Sequence, residues 1–148
     1  MKKLIFILIA IVAVSCGTYK TDAVTISPVE ETLDLQGSKA DLYSKANAWM
    51  TSKFADDDST IQVQNADDGQ LTGRYKLKTL SNPYNSLNVY TLVAVRVNTN
   101  SAIITLTPQP YGSITGQTEG TYEGMSYPEA QAKQDLQALI TDFENAMK

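Results

Sequence analysis

The spacing of apolar residues changes along this chain, and that change limits the possible folds more than any other feature of the sequence. Two segments, near 38–54 and 126–147, repeat apolar residues every three or four positions, as one face of a helix does. Between them, four segments alternate apolar and polar residues, which is typical of half-buried strands. A shorter alternation at Leu33 and Leu35 precedes the first helix. The predicted order is therefore β-α-β-β-β-β-α.

Each predicted helix begins with a capping signal. Ser38 is followed three residues later by Asp41, and the same spacing recurs at Ser126 and Glu129, with Pro128 early in the helix. The apolar stripes are Leu42, Ala46, Trp49, Met50 and Phe54 in the first helix and Ala132, Leu136, Leu139, Ile140, Phe143 and Met147 in the second. Because Trp49 belongs to a stripe, we interpret it as a core residue rather than a ligand platform.

The strand segments lie between turn signals. They are predicted at 31–36, 61–64, 71–78, 89–97 and 103–107, separated by Gly37, Asp68-Gly69, Asn82-Pro83 and the turn from Asn98 to Ser101. Both helical stripes and the odd-numbered strand residues need the same core. We therefore predict an α+β fold, with a single antiparallel five-stranded sheet and two helices packed on one face, as one domain over 29–148.

The first fifteen residues have the parts of a secretory leader. Lys2 and Lys3 precede an apolar run from Leu4 to Val14, and small residues lead into Cys16. This run of 11 residues is shorter than the roughly 20 that a membrane-spanning helix needs. We predict that residues 1–15 are a lipoprotein signal peptide that is removed.

Cys16 is the only cysteine of the chain. The stretch Val14-Ser15-Cys16-Gly17 resembles the lipobox of bacterial lipoproteins, which implies that Cys16 carries lipid and becomes the first mature residue. Residues 16–28 are then a lipidated cysteine and tether, and the protein is expected in the cell envelope, anchored to a membrane. Gly17 after the cysteine resembles lipoproteins of the outer membrane. The alternative is a soluble secreted protein with a stray thiol.

Composition excludes several classes of site. The chain has no histidine, so Ser-His-Asp and Cys-His nucleophile systems and imidazole-ligated zinc are absent, and no cofactor is predicted. Loss of the two leader lysines leaves ten cations against 16 carboxylates, a formal side-chain charge of −6, which argues against a nucleic-acid partner. We expect a non-catalytic binding module, and the alternative is an envelope hydrolase that uses acidic residues.

One face of the sheet is predicted to be basic. If odd-numbered residues point inward, Arg74, Lys76, Lys78, Tyr90 and Arg96 share the opposite face with Gln62 and Gln64. This face is a candidate binding surface for an anionic or elongated partner, such as an envelope protein or polymer. The alternative is that these cations keep the sheet soluble and discourage edge pairing.

Two further segments carry weaker functional hypotheses. Asp56-Asp57-Asp58 and the turn from Asn65 to Gly69 could meet across one end of the sheet as a calcium site, although aspartates are also ordinary turn residues. The segment 109–124 carries four glycines at four-residue intervals with Tyr111 and Tyr122, and is either a mobile linker or a ligand loop.

Part of the chain resembles a known family. The residues Ser38-Lys39-Ala40-Asp41-Leu42-Tyr43, Ala48-Trp49-Met50 and Phe54, the strand and turn from Ile61 to Gly69, and Leu71-Thr72-Gly73 carry the resemblance. Over about 33–106 they are similar to the bacterial domain of unknown function 4468. The resemblance implies a TATA-binding-protein-like fold in an exported bacterial protein, often a lipoprotein. It implies no activity and no functional residue, and a fold alone does not confer DNA binding.

Overall fold

The described part of the chain consists of five strands and two helices in the predicted order. The computed structural model describes residues 26–56, 58–109 and 127–148. The strands are β1 (Val29–Asp34), β2 (Thr60–Asn65), β3 (Gln70–Ser81), β4 (Ser86–Asn98) and β5 (Ser101–Pro108), and the helices are α1 (Lys39–Lys53) and α2 (Glu129–Met147). The leader, Cys16 and all but the first residue of the glycine segment lie outside the described residues, so the predictions made for them stay predictions.

All five strands form one antiparallel sheet in the order β1-β5-β4-β3-β2. Strand β4 lies in the middle, where Val95 is paired with Leu71 of β3 on one side and with Ile104 of β5 on the other. The β4–β5 hairpin closes through Thr99 and Asn100, and Asn100 adopts a positive φ of 61°, which asparagine tolerates well. The predicted single antiparallel sheet is confirmed.

Both helices pack on the same face of the sheet. The inward residues of β4 and β5 are buried in one cluster with the helical stripes, and Val93, Ile104, Leu136 and Phe143 have no exposed surface. Trp49 is 6% exposed, so the prediction that it is a core residue is confirmed. Within the described ranges, neither helix combines the length and the apolar character needed to cross a bilayer.

The ends of the folded region differ slightly from the expectations. Ile26, within the predicted tether, is only 5% exposed and belongs to the core, so the folded domain includes residue 26. Ser38 caps α1 as predicted, because its side chain accepts a hydrogen bond from the amide of Asp41. The capping box predicted from Ser126 to Glu129 is wrong, because Pro128 is the N-cap of α2 and Glu129 is its first helical residue. The ammonium of Lys45 on α1 donates hydrogen bonds to the last backbone carbonyls of the chain.

Two strands contain an irregularity that changes which face their side chains occupy. The register of β2 shifts between Ile61 and Val63, and that of β3 shifts between Lys76 and Lys78. An extra residue at a β-bulge changes the phase of the inward and outward alternation. The prediction that odd-numbered residues point inward therefore holds for β1, β4 and the parts of β2 and β3 before their bulges. It is wrong after each bulge and throughout β5, where the even-numbered residues Ala102, Ile104 and Leu106 are buried.

Strand β3 approaches the end of α1 at Gly73. A Cβ atom at this position would lie 2.4 Å from Cε1 of Phe54 and 2.9 Å from the backbone oxygen of Thr60. The missing side chain therefore lets the Phe54 ring pack directly on the strand, where it also meets the ring of Tyr75. This contact fixes the loop from α1 to β2 beside the side chains of β3.

Candidate functional site

The face of the sheet opposite the helices, called the open face here, is the candidate binding surface. The strand register places the side chains of Glu30, Gln70, Thr72, Arg74, Lys76, Tyr90, Leu92, Ala94, Arg96, Ile103 and Thr105 on it. Residues at the centre of this face are only partly buried, whereas their neighbours on the helix side are fully buried. Four of the five predicted face residues, namely Arg74, Lys76, Tyr90 and Arg96, are brought together here.

Arg74 stacks on Tyr90. The guanidinium carbon of Arg74 lies 3.5 Å from the centre of the Tyr90 ring, and the two residues are diagonal neighbours on β3 and β4. Such a stack holds the plane of the guanidinium group against the sheet. The Nε atom of Arg74 is buried and has no hydrogen-bond partner in the described chain.

Lys76 is neutralised by the loop that precedes β2. Its ammonium lies 2.8 Å from Oδ2 of Asp56 and 2.8 Å from Oδ2 of Asp58. The hydrogen bond with Asp56, followed by that with Asp58, raises the pKa of Lys76, and the hydrogen bond from Lys76 lowers the pKa of Asp56. The backbone amide of Lys76 also donates to Oγ of Ser59. This lysine therefore adds little free positive charge to the open face.

Arg96 borders a shallow groove across the open face. The groove has a volume of about 290 Å³, and its lining residues are Glu30, Gln70, Thr72, Ala94, Val95, Arg96, Ile103 and Thr105. Arg96 is exposed and paired in register with Gln70 and Ile103. At the β1 edge, Thr105 Oγ1 donates a hydrogen bond to Oε2 of Glu30 at 3.0 Å. The groove thus has a cation on one side and an acid at its rim.

The prediction that Lys78 shares this face is wrong. Because of the bulge, Lys78 is paired with the buried residue Val89 and lies on the helix side of β3. Its ammonium is 3.7 Å from Oδ2 of Asp135 on α2 and 5.5 Å from the centre of the Tyr127 ring. The ammonium group of Lys78 therefore lies between β3 and α2 and adds no positive charge to the open face.

The bulge in β2 also changes the predicted placement of its glutamines. Gln64 is paired with the inward residue Leu71, and its side chain donates to Oδ1 of Asn47 on α1. Val63, expected to be inward, is paired with Thr72 and is 44% exposed. The open face near β2 is therefore more apolar than the alternation predicted.

The two halves of the hypothesised calcium site are not brought together. The loop with Asp56 and Asp58 precedes β2, whereas Asn65 and Asp68 follow it, so they lie at opposite ends of a six-residue strand, roughly 17 Å apart. Asn65 and Asp68 hydrogen-bond to each other within the turn. Among the residues that the structure describes, no three acidic side chains converge on a metal position.

Sequence reasoning did not single out several residues of the groove. Glu30, Thr72 and Thr105 meet there because β1, β5, β4 and β3 place them in one row across the strands, with Ala94 between. Their even or odd position within each strand was visible in the sequence, but the strand order was needed to place them side by side. The prediction that odd-numbered residues point inward placed Thr105 on the helix side, which is wrong, although the apolar residues Ala102, Ile104 and Leu106 that alternate with it were a signal that it faces outward.

Comparison with known proteins identifies the fold. The family described as "Domain of unknown function (DUF4468) with TBP-like fold" matches residues 30–92. A TBP-like protein from Parabacteroides distasonis has a similar crystal structure, with a TM-score of 0.57 at 13% identity over 81% of this chain and 91% of that chain. A DUF4468 family protein from Bacteroides ovatus gives a TM-score of 0.55 at 13% identity over 86% of this chain and 91% of that chain. No curated protein sequence matches.

These matches agree with the resemblance drawn from α1, β2 and the start of β3. At 13% identity the two crystal structures establish a shared fold alone. The family match runs from β1 into β4 and includes the Arg74–Tyr90 pair. The predicted resemblance is thus confirmed: residues 30–92 match the domain of unknown function 4468, and the described chain has its TBP-like fold.

Proposed function

We propose that this chain is a lipid-anchored protein of the cell envelope, and that its open face contacts another macromolecule. The anchor rests on the leader and on Cys16, whose surroundings resemble a lipobox. The contact rests on one observation, which is that both helices lie on the other side of the sheet. The open face keeps two arginines and a groove that no described element covers.

The composition of this face supports a binding role. The groove lining includes Thr72, Ala94, Ile103 and the cation Arg96, and Arg74 lies two residues beyond Thr72 on β3. Arginine and tyrosine are enriched in protein–protein interfaces relative to the rest of the protein surface. The face is flat and shallow, which suits a macromolecule better than a small substrate that must be enclosed.

The proposal is tested by photo-cross-linking in intact cells. A photo-reactive residue replaces Ala94 at the centre of the open face, and a matched control variant carries it at Gln137, an exposed position on α2. We expect a discrete cross-linked product from position 94 that is absent from position 137. The same product should disappear when Arg74 and Arg96 are both changed to glutamate, because charge reversal repels an acidic partner. Equal products at 94 and 137, or none at 94, would contradict the proposal.

A further inference from the structure

The two arginines differ in their pairing from four of the seven lysines that the structure describes, while Lys39 and Lys45 donate to backbone carbonyls. Within the described ranges, Lys53, Lys76, Lys78 and Lys133 each form an ion pair with an aspartate or glutamate. Arg74 and Arg96 are the only arginines of the whole sequence, and both lie on the open face. In the described chain neither has a carboxylate partner. The free positive charge of the open face is therefore concentrated in two guanidinium groups.

The guanidinium group of Arg74 is positioned to bind a carboxylate. Its guanidinium group is held in one plane by the Tyr90 ring, and its Nε donor is buried without an acceptor. The two terminal nitrogens have no partner in the described chain and are not buried. A guanidinium group fixed in this way binds a carboxylate through two parallel hydrogen bonds and loses little side-chain freedom.

The spacing of the two arginines matches an extended chain. Arg74 is paired with Leu92, and Arg96 is paired with Gln70, so four residues of β3 separate the two positions. At the rise of a strand this is about 13 Å along the strand direction. In an extended peptide that lies along the strands, every second side chain points to the same side. Acidic residues at positions i and i+4 would then reach both arginines, while residue i+2 lies over Thr72 and Ala94.

The charge is too localised to favour a uniform polyanion. Lys76 is neutralised by Asp56 and Asp58, and Glu30 places a negative charge at the rim of the groove. A phosphate backbone or an anionic membrane would meet these carboxylates as well as the arginines. Two separate guanidinium groups with threonine and alanine between them fit two spaced carboxylates instead.

We propose that the open face binds an extended acidic segment of a partner protein, with one carboxylate on Arg74 and a second, four residues along the segment, on Arg96. The inference rests on the proposed function, because it names the class of partner for the same face. It goes further because it names the two residues that bind the partner, Arg74 and Arg96, and the four-residue spacing of the carboxylates that they bind. Its test can fail while the envelope contact itself stands.

The test measures fluorescence anisotropy with a labelled peptide. The probe is a nine-residue peptide of serine and threonine with glutamate at positions 3 and 7, added to the full chain in a nonionic detergent. We expect saturable binding that weakens at least about tenfold in Arg74→Gln and in Arg96→Gln, because each variant loses a charge-assisted pair. Moving the second glutamate to position 6 should weaken binding to the same degree. Side chains at even and odd positions of an extended peptide point to opposite sides, so the glutamate at position 6 would point away from Arg96.

The matched control is Lys133→Gln, which removes an equal charge from the exposed face of α2. It should bind the probe as the unchanged protein does, and circular dichroism should show that all three variants are folded. No saturable binding, or equal binding by the arginine variants, would overturn the inference. Tighter binding of polyphosphate or of phosphatidylglycerol vesicles than of the peptide would also overturn it. If the cross-link at position 94 still forms, the proposed function survives and only the acidic segment is wrong.

Discussion

Trp49 joins the core to a charged group at the surface of α2. Its ring packs edge-on against the Phe143 ring, with 4.9 Å between the ring centres. Its Nε1 donates a hydrogen bond to Oδ2 of Asp142 at 2.7 Å. The ammonium of Lys53 lies 3.0 Å from the same oxygen. Burial raises the pKa of Asp142, but the hydrogen bonds from Trp49 and Lys53 outweigh it, so the net pKa lies below the ordinary value of 3.8.

Replacing Trp49 by phenylalanine separates the packing of this residue from its hydrogen bond. The ring contact with Phe143 is largely retained, whereas Asp142 loses one donor. We expect the free energy of unfolding to fall by about 1–3 kcal/mol, which includes the loss of a hydrogen bond to a charged group and of some packed volume. Chemical denaturation at neutral pH measures this difference.

The pH dependence of Asp142→Asn is the control for this hydrogen bond. Because the folded pKa is below the ordinary value, the ionised carboxylate stabilises the fold above pH 3.8, and this contribution is lost as the pH falls through the folded pKa. The stability difference between the unchanged protein and Asp142→Asn should therefore shrink below pH 3.8. A difference that stays constant down to strongly acidic pH would show that the charge of Asp142 does not stabilise the fold.

At the level of elements, the bulge in β3 divides the strand into two parts with different neighbours. Before it, Arg74 and Lys76 lie on the open face, and after it Lys78 and Leu80 lie on the helix side. Lys78 then contacts Asp135 and Tyr127, so its charge stabilises the position of α2. The extra residue at the bulge thus decides whether a basic side chain of β3 lies on the open face or packs against α2.

Charge reversal at Lys78 tests this assignment. Lys78→Glu places a second acid beside Asp135 and should lower the free energy of unfolding by about 1 kcal/mol, measured by thermal or chemical denaturation. The matched control, Arg96→Glu on the open face, has no acid partner in the described chain and should change stability by less than about 0.5 kcal/mol. Equal effects of the two single reversals would contradict the assignment.

The sequence predicted the elements well and the faces incompletely, for a physical reason. Periodicity reports which residues of a segment share a side, and the stripes of α1 and α2 and the alternation of β4 were strong enough to place Trp49 and Val93 in the core. A bulge adds one residue without a compositional signal, so Lys78 and Gln64 were assigned to the wrong face. Strand order also depends on long-range pairing, so the groove beside Arg96 needed the structure.

For the whole molecule, the proposed lipid anchor would limit how far from a membrane the open face can lie. Since Ile26 is already part of the core, the proposed tether from Cys16 to Thr25 would have ten residues and could span at most about 35 Å. The side-chain charge of −6 that the proposed removal of residues 1–15 would leave disfavours adsorption of the domain to an acidic lipid surface. A lipidated chain would therefore hold the domain close to the membrane while its charged face stays available to other envelope components.

This arrangement requires the proposed lipid on Cys16. Each buried methylene contributes about 0.8 kcal/mol, so one acyl chain gives reversible attachment and two or three give durable attachment. We expect the unchanged protein in the membrane fraction, with a mass that shows loss of residues 1–15 and addition of lipid. Cys16→Ala should remain as a precursor with its leader or appear as a soluble product, whereas Gly17→Ala should keep the lipid. If Cys16→Ala fractionates with membranes and has the mass of the unchanged protein apart from the substitution, lipid cannot be what anchors this chain.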